Sequence, residues 1–359
     1  MQTQSNKIDF TGQSIYVGFD VHLKSWLVTI MTEKLTHKTY SQAPNPEVLY
    51  NYLSKTFPGA TYYSAYEAGF CGYWIHNKLL EFGIKSIVVN PADIPTTGKE
   101  KVMKTDSRDS VKIARSLRNG ELKPIHVPLP ITLEDRGLVR TRATLVKDMT
   151  KYKNRIKSFL YFHGIEYPEV FAKSETHWSN RFNQWLGTIE MKEKSGKDSL
   201  NALLDQSKHL RANILLVTKQ IRELAKNERY KRPLEVLRSI PGVGIITAMI
   251  ILTELESMNR FANIDQLCGY IGLVPSCNSS GDKQNVGDIT PRGHSILRGA
   301  IIESAWVAAR LDPVLTKCYH SYCNRMESNK AIIRIARKIT SRIRYVLKND
   351  QPYELAVVK

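Results

Sequence analysis

The chain has 359 residues, 42% apolar and 24% charged, a globular mix that excludes wholesale disorder and is long enough for two or three folding units. Fifty-two Lys and Arg against 34 Asp and Glu leave a net charge of +18, which favours a polyanionic partner. No apolar run is long enough to cross a bilayer, and the first residues lack the order of a signal peptide. The five cysteines (Cys71, Cys268, Cys277, Cys318, Cys323) are scattered and form neither a disulfide framework nor a paired zinc pattern, so a reducing cytosol is expected.

The first third reads as α/β. Two β-branched, aromatic-rich runs, Ser14 to His22 and Ser25 to Glu33, are separated by two residues and predict a hairpin, with Lys38 to Ala43 as a third antiparallel strand. A helix opens at Pro46 and runs to Phe57, with Leu49, Tyr52 and Leu53 at helical spacing. A strand (Ala60 to Gly69), a helix stopped at Gly83 and a buried strand (Lys85 to Asn90) follow. This order of elements matches an RNase H-like mixed sheet. Lys104 to Gly120 predicts a further helix, and three prolines between Lys123 and Pro130 suit a linker.

Beyond the linker, Leu138, Leu145, Met149, Tyr152, Ile156 and Phe159 recur at spacings of three, four and seven. Leu203, Leu210, Ile214, Val217, Ile221 and Leu224 do the same. The two stripes predict a helical hairpin or coiled coil, within one chain or between two, interrupted by an insert from Gly164 to about Asp198 to which no role is assigned. The last third reads as helical. Pro241-Gly242-Val243-Gly244 divides two apolar runs, and Gly272 to Gly293 reads as a Gly/Ser/Asn-rich loop. That loop ends at Thr290-Pro291, read as the cap and first residue of a helix running to about Leu311. The expected regions are 1–130 (α/β), 131–232 (arm with insert) and 233–359 (mainly α).

Basic residues cluster twice. Arg136 to Lys157 holds eight cations, among them Arg140, Lys147, Lys151 and Arg155, against Asp148 alone. Ser328 to Asn349 holds seven, among them Arg334, Arg337, Lys338 and Arg342, and no acid. Each run reads either as a solvated helix face or as a surface for nucleic-acid phosphates, and the second is favoured.

Four acids stand out in the first region. Asp20 lies mid-strand on the face opposite Phe19 and Val21. Glu67 ends a strand, and Asp106 and Asp109 lie three apart at a helix start. Carboxylates in apolar strand ends are costly unless paired or metal-bound, and such a cluster suits Mg²⁺ or Mn²⁺. For Asp106 and Asp109, a helix cap and a first-turn acid remain the alternative. The turn at Gly242 and Gly244 reads as a phosphate-binding helix-hairpin-helix element or as an ordinary tight turn. Ser279 and Ser280, followed by Lys283, Arg292, His294 and Arg298, could supply a nucleophile with cations for its transition state, or simply fill a loop.

Gly18-Phe19-Asp20-Val21, Tyr66-Glu67-Ala68-Gly69, Lys104-Thr105-Asp106-Ser107-Arg108-Asp109, Ile240-Pro241-Gly242-Val243-Gly244 and Gly272-Leu273-Val274-Pro275 through Ser280-Gly281 occur here in one order. Together they resemble the signatures of the DEDD transposases of insertion-sequence family 110, over about Ser14 to Leu347. The resemblance implies a RuvC-like N-terminal domain, a coiled-coil arm and a C-terminal domain with a catalytic serine. By matching positions, Asp20, Glu67, Asp106 and Asp109 would hold Mg²⁺ or Mn²⁺, and Ser280, with Ser279 beside it, would be the nucleophile of a covalent 5′-phosphoserine intermediate. It further implies a dimer of dimers with composite active sites, donor and target duplex DNA as partners, and a structured bridge RNA whose loops pair with both. Ser110 stands where many relatives have Ala, and the insert lengthens the arm.

The expected function is therefore an RNA-guided recombinase of an insertion sequence, working in a prokaryotic cytosol at the nucleoid. A water-activating RuvC-like endonuclease and a catalytically silent nucleic-acid scaffold are the rival readings.

Overall fold

The computed structural model describes residues 9–95, 106–280 and 283–355, and at 106–107, 277–280 and 283–286 the backbone only. The chain divides into two compact units, Met1–Val127 and Pro128–Lys359.

The first unit is a mixed sheet between helical layers. Its strands β1 (Ser14–Val21), β2 (Trp26–Met31), β3 (Thr36–Gln42), β4 (Thr61–Glu67) and β5 (Lys85–Val89) lie in the order β3-β2-β1-β4-β5. β1 pairs antiparallel with β2 and parallel with β4, and β4 runs parallel to β5. This arrangement is consistent with a RuvC-like domain. Strand alternation sorts the side chains between two faces. Ile15, Val17 and Phe19 point with Trp26, Val28 and Tyr66 into a core closed by Leu49 and Leu53 of α1 (Pro46–Thr56) and Ile75 and Leu79 of α2 (Trp74–Glu81).

Helix α3 (Asp106–Arg118) covers the other face, where Ile113 packs on Ala65 and Val89. It comes so close that a Cβ on Gly18 would lie 2.2 Å from the Ala114 backbone nitrogen and 2.5 Å from the Ser110 carbonyl oxygen. Beside that contact the Ser110 hydroxyl meets buried Thr29 at 2.9 Å, and Thr29 meets exposed Thr39 at 2.9 Å, a hydroxyl chain from the interior across β2 to the surface. Ser110 is thus a polar tie between α3 and the sheet.

The second unit opens with α4 (Pro130–Phe162), which packs along α6 (Lys194–Leu224). Arg142 donates to the Thr218 hydroxyl at 2.8 Å, while Ile156 and Leu160 cluster with Leu200 and Leu204, so the two helices run antiparallel within one chain. Burial concentrates at the two ends of the stripe. Leu145, Met149 and Tyr152 are only half-buried, because a single partner helix covers one side of a stripe and leaves the other to water. The unassigned insert closes the far end. Phe171, with Phe182, Leu186 and Ile189 in and after α5 (Asn180–Thr188), forms a small core with half-buried Trp178 and Trp185.

The near end of the arm enters a larger core made by α7 (Glu228–Arg238), α8 (Ile245–Leu255), α9 (Ile264–Ile271), α10 (Ser295–Leu311), α11 (Pro313–Cys323) and α12 (Ser328–Asn349). Two expectations are corrected here. The stretch 272–293 contains a two-stranded ribbon, β6 (Pro275–Ser280) and β7 (Lys283–Ile289), because its backbone groups pair with each other rather than with water. Thr290 does not cap the next helix. Its N–H extends the ribbon to the Val274 carbonyl at 3.0 Å, and His294 caps α10 instead. No helix among the described residues is long and apolar enough to cross a membrane, and Cys71, Cys268, Cys318 and Cys323 are free thiols.

Gly18→Ala is expected to destabilise the first unit by about 3 kcal/mol or more, since the colliding atoms are backbone and cannot rotate away. Urea unfolding followed by near-UV circular dichroism measures it. An unchanged transition would mean that α3 does not lie against β1.

Candidate active site

Asp20 and Glu67 follow by one step the last residues that pair β1 with β4, Phe19 and Tyr66. They share the α3-covered face, with Gly18 and Ala65, at the carboxyl edge of two parallel strands. At this edge the chain leaves β1 toward β2 and leaves β4 toward β5, the place where open α/β sheets take their ligands. Asp20 is 23% exposed and meets His22 Nε2 at 3.2 Å. Asp109 is half-buried and faces Lys112 Nζ at 3.4 Å, and it precedes Ser110, whose carbonyl lies over Gly18. The helical backbone begins at Asp106, whose side chain lies outside the described residues, as does the whole of Lys104-Thr105. Among the described residues no three His, Cys, Asp or Glu side chains converge as a metal cluster. The donors that are present are hard oxygens at a sheet edge, the chemistry a divalent cation of the Mg²⁺ kind takes.

Ser280 is the last residue of β6 and pairs with Lys283 across the ribbon, one step beyond the Ser279 and Gln284 pair. Gly281 and the side chains of Ser279, Ser280 and Lys283 lie outside the described residues. The root of the ribbon is well defined. Gly272 ends α9 in the left-handed conformation (φ +85°), and a Cβ on Gly293 would lie 2.5 Å from the Gly272 Cα, so two backbones touch where the ribbon begins and ends. Arg298 donates to the Thr290 carbonyl at 2.7 Å, and Arg337 donates to the Leu273 carbonyl at 2.9 Å.

Behind this root sits a charge that sequence reasoning missed. Glu254 of α8 is fully buried and accepts from Arg140 Nε at 2.7 Å and Nη2 at 2.8 Å, with Arg136 Nε at 3.3 Å and His294 Nε2 at 3.0 Å. Burial alone would raise its pKa. Hydrogen bonds from His294 and Arg140, with the Arg140 guanidinium charge, outweigh burial and hold it at about 2. The signal was a lone carboxylate inside the apolar run Ile245–Leu255, which has no low-energy place in a core without cations.

Residues 17–164 match a transposase family of the DEDD type found in IS110 elements, and residues 234–320 match the transposase family IS116/IS110/IS902. The chain belongs to the IS110 family of transposases. The Sinorhizobium fredii protein y4qE is 32% identical over 244 residues, 68% of this chain and 58% of that protein. The transposase of element IS1533 from Leptospira borgpetersenii is 25% identical over 256 residues, 70% of this chain and 72% of the relative. That of IS1111A from Coxiella burnetii is 27% identical over 243 residues, 66% and 63%. The match to y4qE thus spans less than two thirds of that relative's length.

Within this family member the candidate phosphate-binding cations fall into two groups. Arg140, Arg298, Arg337 and Arg342 are bonded inside the fold, Arg337 also to Asp265 at 3.0 Å and Arg342 to the fully buried Asp312 at 2.9 Å. Lys147, Lys151, Arg155, Arg292, Arg334 and Lys338 are exposed. Lys151 meets Asp148 at 2.9 Å, and the Arg155 and Arg334 guanidinium groups lie 4.7 Å and 5.9 Å from the rings of Tyr152 and Tyr322. The Pro241–Gly244 turn also divides. A Cβ on Gly242 would meet the Ser304 carbonyl at 2.4 Å, so that glycine faces α10, whereas Gly244 is open at the start of α8.

Glu254 has a folded pKa below its ordinary value, so its stabilisation is present above about pH 4.5 and is lost as pH falls toward about 2. Acid unfolding of the second unit is expected in that window, and Glu254→Gln should flatten it. Thermal melts across pH 2 to 6 read this, and an identical pH slope in the variant would remove Glu254 from the account.

Proposed function

We propose that this chain is an RNA-guided transposase that cuts and rejoins donor and target duplex DNA through a serine nucleophile. The observation that carries the reading is the pairing of Asp20 and Glu67 on one face at the carboxyl edge of β1 and β4, with Asp109 on the helix that presses on that face. Asp20, Glu67, Asp106 and Asp109 would hold Mg²⁺, with Mn²⁺ as a substitute. Such an ion, when bound, supplies Lewis acidity to the phosphodiester.

Ser280, at the end of β6, is the nucleophile in this reading. Its Oγ loses a proton and bonds to phosphorus while the bond from phosphorus to the 3′ oxygen breaks. The products are a 5′-phosphoserine and a free 3′ hydroxyl, and the reverse attack by a second 3′ hydroxyl rejoins DNA and frees the serine. No water enters, so the phosphodiester energy is retained. Ser279 is the adjacent competitor for this role.

Three regions share the work: 1–130 as the acid-bearing RuvC-like domain, 131–232 as the coiled-coil arm and 233–359 as the serine domain. The exposed cations Lys147, Lys151 and Arg155 on the arm, and Arg334 and Lys338 on α12, track phosphates of DNA or of a structured bridge RNA. Lys283, paired with Ser280 across the ribbon, does so beside the serine, Arg292 at the ribbon root and Gly244 at the start of α8. Base pairing by the RNA reads sequence, and the protein reads backbone and helical shape. Acid and serine sites from different subunits come together in a dimer of dimers, in a prokaryotic cytosol at the nucleoid.

The test is covalent capture. The protein, RNA transcribed from the DNA flanking its gene, labelled donor and target duplexes and Mg²⁺ are mixed and then denatured. A protease-sensitive DNA–protein adduct is expected, absent in Ser280→Ala, in Asp106→Ala and after chelation of the metal. Cleavage without an adduct at any time would replace the serine by an activated water.

Binding is expected to weaken steeply with salt. Replacing Lys147 and Lys151 by Ala should lower the slope of log affinity against log salt by roughly one to two. Filter binding at four salt concentrations measures it, and an unchanged slope would remove the arm from the nucleic-acid surface.

A further inference from the structure

We propose that His294 and Glu254 are positioning residues for the Ser280 ribbon, tying its root to the arm helix α4. The inference rests on Ser280 as the nucleophile and adds residues that never touch DNA.

His294 is fixed by both ring nitrogens. Its Nδ1 accepts from the Leu297 N–H at 3.4 Å, capping α10. Its Nε2 lies 3.0 Å from Glu254 Oε2, and the carboxylate is the stronger acceptor nearby, so Nε2 carries the proton and donates it. Arg140 Nη2, 3.3 Å from the same nitrogen, is already directed at Glu254. Glu254 in turn cannot move. Arg140 grips both its oxygens, and Arg136 holds the neighbouring Thr253 carbonyl at 2.8 Å. A continuous polar path therefore runs from α4 through Glu254 and His294 to the segment that leaves β7. The His294 N–H also donates to the Ile271 carbonyl at 3.2 Å, joining this path to the end of α9 where β6 departs.

The geometry makes the root a lever. Six strand residues of β6 reach roughly 20 Å, so a tilt of about 5° at the root displaces the tip by roughly 1.7 Å. A misplacement of about 1 Å at a reacting atom costs about a hundredfold in rate. Fixing the root by a buried ion cluster, rather than by apolar packing that can slide, gives the tip one direction. The basic residues at the base of α4 acquire a role here apart from phosphate: Arg136 and Arg140 anchor the carboxylate that anchors the histidine.

Two substitutions separate this role from helix capping. Asn places its amide near the imidazole Nδ1 position, so His294→Asn keeps the cap and removes the donor to Glu254. Gln places its amide near the Nε2 position, so His294→Gln weakens the cap and keeps that donor. Single-turnover adduct formation with the same RNA, DNA and Mg²⁺ is expected to fall at least tenfold in His294→Asn and to recover most of that loss in His294→Gln. DNA affinity should stay unchanged in both, and the melting temperature of His294→Asn should fall, because Glu254 loses a buried donor, so adduct rates are compared at a temperature where circular dichroism shows both variants folded. Arg140→Lys, which keeps the charge and loses the two-pronged grip, reads the same link if a His294 variant fails to accumulate, and should slow adduct formation without weakening DNA binding. Full rate in His294→Asn, or a higher rate in Asn than in Gln, overturns the tie. Full rate in Arg140→Lys does so too. Ser280→Ala is run alongside: an adduct that persists there overturns the serine reading itself, a result distinct from failure of the tie.

Discussion

Glu254 carries a full negative charge into the apolar centre of the second unit, and much of that unit is arranged to answer it. A buried carboxylate is tolerable only if cations and hydrogen-bond donors replace the water it lost. Here they come from two places in the sequence: Arg136 and Arg140 on the arm helix, and His294 at the cap of α10. Apolar packing would accept many small shifts between these elements. The ion cluster accepts one arrangement, because removing any partner leaves charge uncompensated. The same logic recurs at Asp312, which is fully buried and receives Arg342, the Tyr353 hydroxyl and the Leu315 N–H. At Asp135, Arg229 and the Tyr230 hydroxyl tie α4 to α7, and the burial of Tyr230 beside that carboxylate pushes its pKa well up. Three buried acids thus fasten the helices of the unit at three separate points.

The first unit is fastened differently, by backbone against backbone. At Gly18 the absence of a side chain lets α3 settle onto β1, and the strand edge two residues further on carries Asp20. Ser110 adds a hydroxyl bridge to Thr29 at the same crossing. The acid-bearing edge inherits its order from this contact, since both the strand that presents Asp20 and the helix that bears Asp109 are held there.

Much of this was legible in the residues. Alternation in β1, β2 and β4 and the helical spacing of Leu49 and Leu53 fixed element types, because burial on one face leaves a periodic trace. Asp20 was conspicuous for breaking that trace. Long-range partnerships leave no trace at all. Nothing in the local sequence says that Gly18 meets Ala114, or that Arg140 bonds Glu254 more than a hundred positions away, and so several arginines that read as phosphate ligands turned out to be bonded within the fold. The ribbon after Val274 was missed for a related reason: its strands are polar, and their pairing satisfies main-chain groups rather than burying side chains. Thr290 looked like a cap because Thr-Pro is a common helix opening, yet its N–H was already committed to Val274. The insert from 164 to about 198 gave only aromatic content, and its packing emerged when Phe171 and Phe182 met Ile156 and Leu204 across the arm.

That aromatic cap has a consequence for how the arm can change. Each end of the α4–α6 pair is closed by its own core, one around Phe182 and one around Ile221, with Val146, Leu215 and Leu216 exposed along the stem between them. The stem is therefore a ruler rather than a scaffold. Turns can be inserted or removed in matched numbers from both helices without unpicking either terminus. The reach of the tip from the body of the protein is then a dimension that descent can adjust in steps of roughly 5 Å per helical turn. A lineage can retune the distance between the two cores while leaving each of them untouched.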